Sequence, residues 1–74
     1  MNEKAVTICW VGLLARCEAD SYFARGKREM FEVWDRFSLN LIKRSYEIAG
    51  AKTAEERLKI YTLALQRTFG GKFK

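Results

Sequence analysis

Residues 27–49, KREMFEVWDRFSLNLIKRSYEIA, form a long amphipathic stretch between Gly26 and Gly50. Met30, Trp34, Phe37, Leu41 and Ile48 recur at steps of four, three, four and seven, which is one side of a 3.6-residue helix. A strand would alternate instead. Glu29, Glu32, Arg36, Asn40, Lys43 and Glu47 occupy the opposite side. Glu32 with Arg36 and Lys43 with Glu47 are i,i+4 pairs, each contributing roughly 0.2–0.5 kcal/mol. A second apolar row, Phe31, Leu39, Ile42 and Tyr46, widens the stripe beyond what one neighbour requires. The segment is therefore expected to be the central helix, in contact with two others.

On its N-terminal side, Ala5–Ala15, AVTICWVGLLA, is the most apolar stretch. It falls short of the roughly 20 apolar residues of a membrane span, and Arg16, Glu18 and Asp20 follow at once. As a signal peptide it has one preceding lysine offset by Glu3, and no small-x-small cleavage site. A buried helix is expected, with Val6, Trp10, Leu13 and Cys17 on one side. The β-branched Val6, Thr7, Ile8 and Val11 leave a short strand over residues 5–11 open. Gly12, Ala15 and Ala19 form a small-residue row at which another helix can come close.

On the C-terminal side, Thr53 and Glu56 spell the Thr-x-x-Glu capping box. Ala54, Leu58, Tyr61, Leu65 and Phe69 then mark a third helix, which Gly70-Gly71 ends. The expected architecture is all-α: a small three-helix bundle of Glu3–Arg25, Lys27–Ala49 and Ala54–Phe69, one domain over 1–74 with a short basic tail at 70–74. Its core is expected from Trp10, Leu13, Leu14, Phe23, Met30, Trp34, Phe37, Leu41, Leu58, Tyr61, Leu65 and Phe69.

The 74 residues include no histidine, which removes the commonest general base and neutral metal ligand. Two cysteines eight positions apart supply neither a zinc site nor the spacing of a bridge within one helix. Both Cys9 and Cys17 read as small buried hydrophobes in a reducing, cytoplasmic setting. No catalytic residue, metal site or cofactor is expected, and the carboxylates read as helix-surface charge. The balance of 14 basic against 9 acidic residues gives +5, a bias toward anionic partners.

Ten aromatics and two apolar rows on the middle helix exceed what three short helices enclose, which implies a homodimer or a protein partner. Trp10, Phe31, Trp34, Leu39, Ile42 and Tyr46 are the candidate partner-binding residues. Arg25, Lys27, Arg28, Arg67, Lys72 and Lys74 are the candidate contacts to an anionic partner; around Gly26 the alternative is a cation complementing a helix C-terminus. Two function classes remain. One is a non-enzymatic protein that binds a cellular factor through a helical face. The other is a small basic nucleic-acid-binding regulator of helix-turn-helix type, although Glu55 and Glu56 would repel phosphates at the start of a recognition helix.

The segment ICWVGLLARCEADSYFARGKREMFEVWDRF, residues 8–37, and the compact, basic, proline-free character of the whole chain resemble the Kil-type proteins of Mu-like temperate phages. That resemblance implies a host-directed inhibitory protein, toxic when expressed, that interferes with cell division. It lies in size and general character, so it transfers no functional residue.

Overall fold

The computed structural model describes residues 2–69 and is a three-helix bundle of α1 (Glu3–Ala24), α2 (Arg28–Ala49) and α3 (Ala54–Phe69). Local chemistry sets the boundaries. Asn2 caps α1 by accepting from the Ala5 N–H at 3.1 Å. Gly26 and Gly50 take left-handed φ values of 73° and 67°, which a residue with a Cβ rarely adopts. At each, the following N–H returns to a carbonyl one turn back: Lys27 to Tyr22 and Ala51 to Tyr46, both at 2.9 Å. The Glu56 N–H donates to Thr53 Oγ1 at 3.2 Å, and that hydroxyl donates to the Glu56 carboxylate at 3.0 Å. The capping box is thus closed through the two side chains. Residues 5–11 are helical; their β-branched side chains are outweighed by packing on both sides of α1.

The central helix is α1, not α2. Both other helices pack on α1, while the backbones of α2 and α3 scarcely meet. The reason lies in the distribution of apolar groups. Those of α1 cover its whole circumference, the signature of a helix enclosed by neighbours, whereas α2 keeps a polar side.

The α1–α2 contact is built from small residues. Ala5, Cys9, Gly12 and Ala19 are buried at steps of four, three and seven, with Arg16 filling the intermediate position. Against them α2 presents Ser38 and Ser45, seven apart and both fully buried. Each serine hydroxyl donates within its own helix, Ser38 to the Asp35 carbonyl at 2.7 Å and Ser45 to that of Ile42 at 2.6 Å. The buried hydroxyls are thereby satisfied while their volume stays small. Gly12 marks the closest approach: a Cβ there would lie 2.9 Å from Ile42 Cγ1, 3.2 Å from Leu41 Cβ and 3.3 Å from the Ile42 backbone nitrogen. Arg16 and Asp35 form an ion pair across the same seam.

The core differs accordingly from the sequence expectation. Cys9, Leu13, Ile60 and Ala64 form its centre, with Trp10, Ile42, Tyr46, Tyr61 and Leu65 half-buried around them. Of the expected core, Leu13 is buried and Trp10, Trp34, Leu41, Tyr61 and Leu65 are partly so. Leu14, Phe23, Met30, Phe37 and Leu58 are exposed, and the Phe69 side chain lies outside the described residues. Bulky groups are excluded where the helices come this close, so they flank the seam. Cys17 is exposed, contrary to expectation, while Cys9 is enclosed; both are free thiols.

Gly12→Ala gains about 1 kcal/mol of helix propensity at an unhindered site. Here the added methyl must displace Ile42 and meets backbone, and overpacking of this kind costs about 1–3 kcal/mol. The variant is expected to melt several degrees below wild type by circular dichroism; a higher melting temperature would show that the seam is looser than described.

Candidate interaction surface

The seam splits the bulky residues of α1 and α2 into two flanks. One flank supports α3. The other lies open as an apolar groove of about 280 Å³ lined by Val11, Leu14, Ala15, Glu18, Trp34 and Phe37, all from α1 and α2. Trp34 and Phe37 meet edge to face, with ring centroids 5.9 Å apart at 84°. Each ring restricts the other, which lowers the entropy a partner would have to remove. Phe37 is 48% exposed, and Met30 and Val33 extend the apolar surface along α2 at 41% and 64%. Met30, Val33, Trp34 and Phe37 are spaced i, i+3, i+4, i+7, the arrangement of a helical contact face.

Of the row expected to complete the fold, Trp34 and Phe37 line the open groove and Met30 is exposed beside it, whereas Leu41 packs against Gly12 at the seam and Ile48 is half-buried. The second row is divided. Ile42 and Tyr46 pack against the core cluster, whereas Leu39 is 55% exposed. With Lys43, Glu47, Ala51 and Arg57 they line a larger, more polar groove of about 500 Å³ between α2 and α3. Phe31 meets Phe23 with ring centroids 5.1 Å apart and planes tilted by 58°, beside the Gly26 turn.

Of the partner-binding candidates, Trp34 lines the open groove. Trp10 belongs to the core, with the Arg67 guanidinium 5.7 Å from its ring centroid. Sequence reading missed Val11, Leu14, Met30, Val33 and Phe37. The available signal was the match between the small row of α1 and the Ser38/Ser45 heptad of α2, which marks the seam and sends larger neighbours to its edges.

The anionic-contact candidates do not converge. Arg67 donates to Thr7 Oγ1 at 2.7 Å and to the Glu3 carboxylate at 3.1 Å, tying the end of α3 to the start of α1. Arg25 lies 4.7 Å over the Tyr22 ring and donates to the Ser21 carbonyl at 3.3 Å, which is the helix-terminal role. Arg28 pairs with Glu32 at 3.5 Å. Lys27 is the exposed first residue before α2, with no side-chain cap. Lys72 and Lys74 lie outside the described residues.

Among the described residues, no three His, Cys, Asp or Glu side chains gather as a metal would require. None of the described helices is long and apolar enough to cross a membrane. The chain matches no protein-family model, no curated protein and no solved structure.

Burial pushes the Cys9 thiol above its ordinary pKa, with the Ser45 hydrogen bond opposing. Burial likewise raises Tyr46, assisted by Cys9 and Tyr61 and opposed by Arg57. Both groups are acids held neutral by the fold. Their contribution is complete below the unfolded-state pKa and is lost as pH climbs through the folded value. Stability should therefore fall from about pH 8.5 upward. Cys9→Ala should lessen that loss, as read by urea titrations from pH 7 to 10. In native protein Ellman's reagent should titrate Cys17 quickly and Cys9 only on unfolding; equal rates would show Cys9 to be accessible.

Proposed function

We propose that this chain is a non-enzymatic interaction protein that binds and inhibits a host cellular factor through the open face of α1 and α2. The supporting observation is the uncovered groove around Trp34 and Phe37. A chain of this size buries only about 60% of its unfolded surface, so two aromatics left at one concave site are a substantial loss to folding. Trp34 is the anchor of this reading, since half-enclosed tryptophans in apolar pockets dominate binding energy at protein interfaces. The resemblance to Kil-type phage proteins supplies the target class, a factor of host cell division met in the cytoplasm. Arg67, already held by Glu3 and Thr7, and the exposed acidic first turn of α3 weigh against the nucleic-acid reading.

Immobilised wild type should retain a specific protein from bacterial lysate, and Trp34→Ala should weaken that retention by about thirtyfold, the effect of a hot-spot loss near 2 kcal/mol. Expression of wild type should produce filamentous, non-dividing cells, and Trp34→Ala should restore division. Retention undiminished in the variant would show that the groove takes no part in binding. Tight, steeply salt-dependent binding to random DNA would favour the nucleic-acid class instead.

A further inference from the structure

Helix α3 meets the α1–α2 hairpin at one end only. The groups it packs on, bonds to or shares a groove with lie within residues 2–13 and 39–51. From Leu13 to Ala24 the hairpin runs on for about 16 Å at 1.5 Å per residue. The turn at Gly26 is therefore a projecting tip.

The tip combines bare aromatic surface with positive charge. Phe23, 68% exposed, is the barest large hydrophobic side chain among the described residues. Its ring rests against Phe31, and with Gly26 and Arg28 the pair lines a cleft beside the turn. Residues 21–28 carry Arg25, Lys27 and Arg28 and no carboxylate. Among the described residues neither Arg25 nor Lys27 joins an ion pair. The acids nearby are Glu29, in the first turn of α2, and Asp20 and Glu32, each about 6 Å back along its helix. Glu32 also lines the cleft and pairs with Arg28. With Glu29 counted, the leading surface still holds three cations against one carboxylate.

Going beyond the interaction reading and independent of it, we propose that this tip is a peripheral contact for an anionic lipid surface. Phe23 enters at the level of the headgroups, and Arg25, Lys27 and Arg28 meet the lipid phosphates. A bilayer sets a layer of negative charge in front of an apolar interior, and the tip carries the complement of both. A peripheral contact requires no spanning helix, and none of the described helices is one. Nucleic acid suits the tip less well, because base stacking needs a free ring and one side of Phe23 is taken by Phe31.

The test is co-sedimentation of the full chain with vesicles of phosphatidylcholine, alone or mixed equally with phosphatidylglycerol. At low salt the chain should partition at least about tenfold more strongly to the mixed vesicles, and the margin should shrink as salt rises. Phe23→Ser should weaken that binding about tenfold, the loss of one buried ring. Lys27→Glu with Arg28→Glu should abolish the preference. Lys4→Glu with Arg44→Glu makes the same change in net charge at exposed positions away from the tip and should leave most of it. Circular dichroism checks that each variant is folded. Equal binding to both kinds of vesicle, binding to neither, or equal loss from the two charge-reversal pairs overturns the proposal. Tighter binding to random DNA than to mixed vesicles, lost with Lys27→Glu and Arg28→Glu, assigns the tip to nucleic acid and overturns it as well. Retention of the lysate partner should survive Phe23→Ser, so the groove and the tip stand or fall separately.

Discussion

Everything in this fold depends on how closely α1 and α2 approach at Gly12. With Ile42 Cγ1 2.9 Å and Leu41 Cβ 3.2 Å from where a Cβ on residue 12 would lie, the pair can accommodate only small side chains along the seam. Cys9, Ala19, Ser38 and Ser45 satisfy that demand and are completely enclosed. The serines also illustrate how a polar residue serves such a contact, because each hydroxyl is turned onto a carbonyl of its own helix and arrives already satisfied.

Close approach has a geometric consequence for the larger groups. A seam of small residues holds the helices together but buries little area per residue, and the side chains that would fill an ordinary core are displaced to its two edges. One edge becomes the core because α3 closes over it, adding Ile60 and Ala64 and fastening its far end through Arg67 to Glu3 and Thr7. The chain has no further described helix to close the other edge, so Trp34, Phe37, Val11 and Leu14 meet solvent. The candidate interaction surface is thus produced by the same constraint that stabilises the fold.

The helices were legible from the sequence because caps and periodicity are local. Gly26, Gly50 and the Thr53–Glu56 pair place the boundaries within a residue, and all three helices follow. Which side of each helix turns inward was not legible from hydrophobicity alone. On α2 the row through Met30, Trp34 and Phe37 is the more regular apolar stripe, and it faces outward, while Ser38 and Ser45, which look like surface residues by composition, are the most deeply buried positions. Packing distance overrides side-chain polarity here, and distance is a property of two helices together. The small row Gly12, Ala15 and Ala19 did announce a close approach, and Gly12 and Ala19 lie in it. Trp34 and Phe37 both sit in the row assigned to the core; Trp34 was nevertheless recoverable as a binding candidate, whereas Phe37 was not named as one.

A small-residue seam centred on Gly12 joins α1 to α2 and turns Trp34 and Phe37 outward. Nuclear Overhauser contacts in solution test it most directly. Strong contacts are expected from the Gly12 α-protons to Leu41 and Ile42, together with an indole ring of Trp34 that contacts Phe37 but no residue of α3. Contacts from Trp34 or Phe37 to the α3 side chains, with Gly12 remote from Ile42, would contradict it.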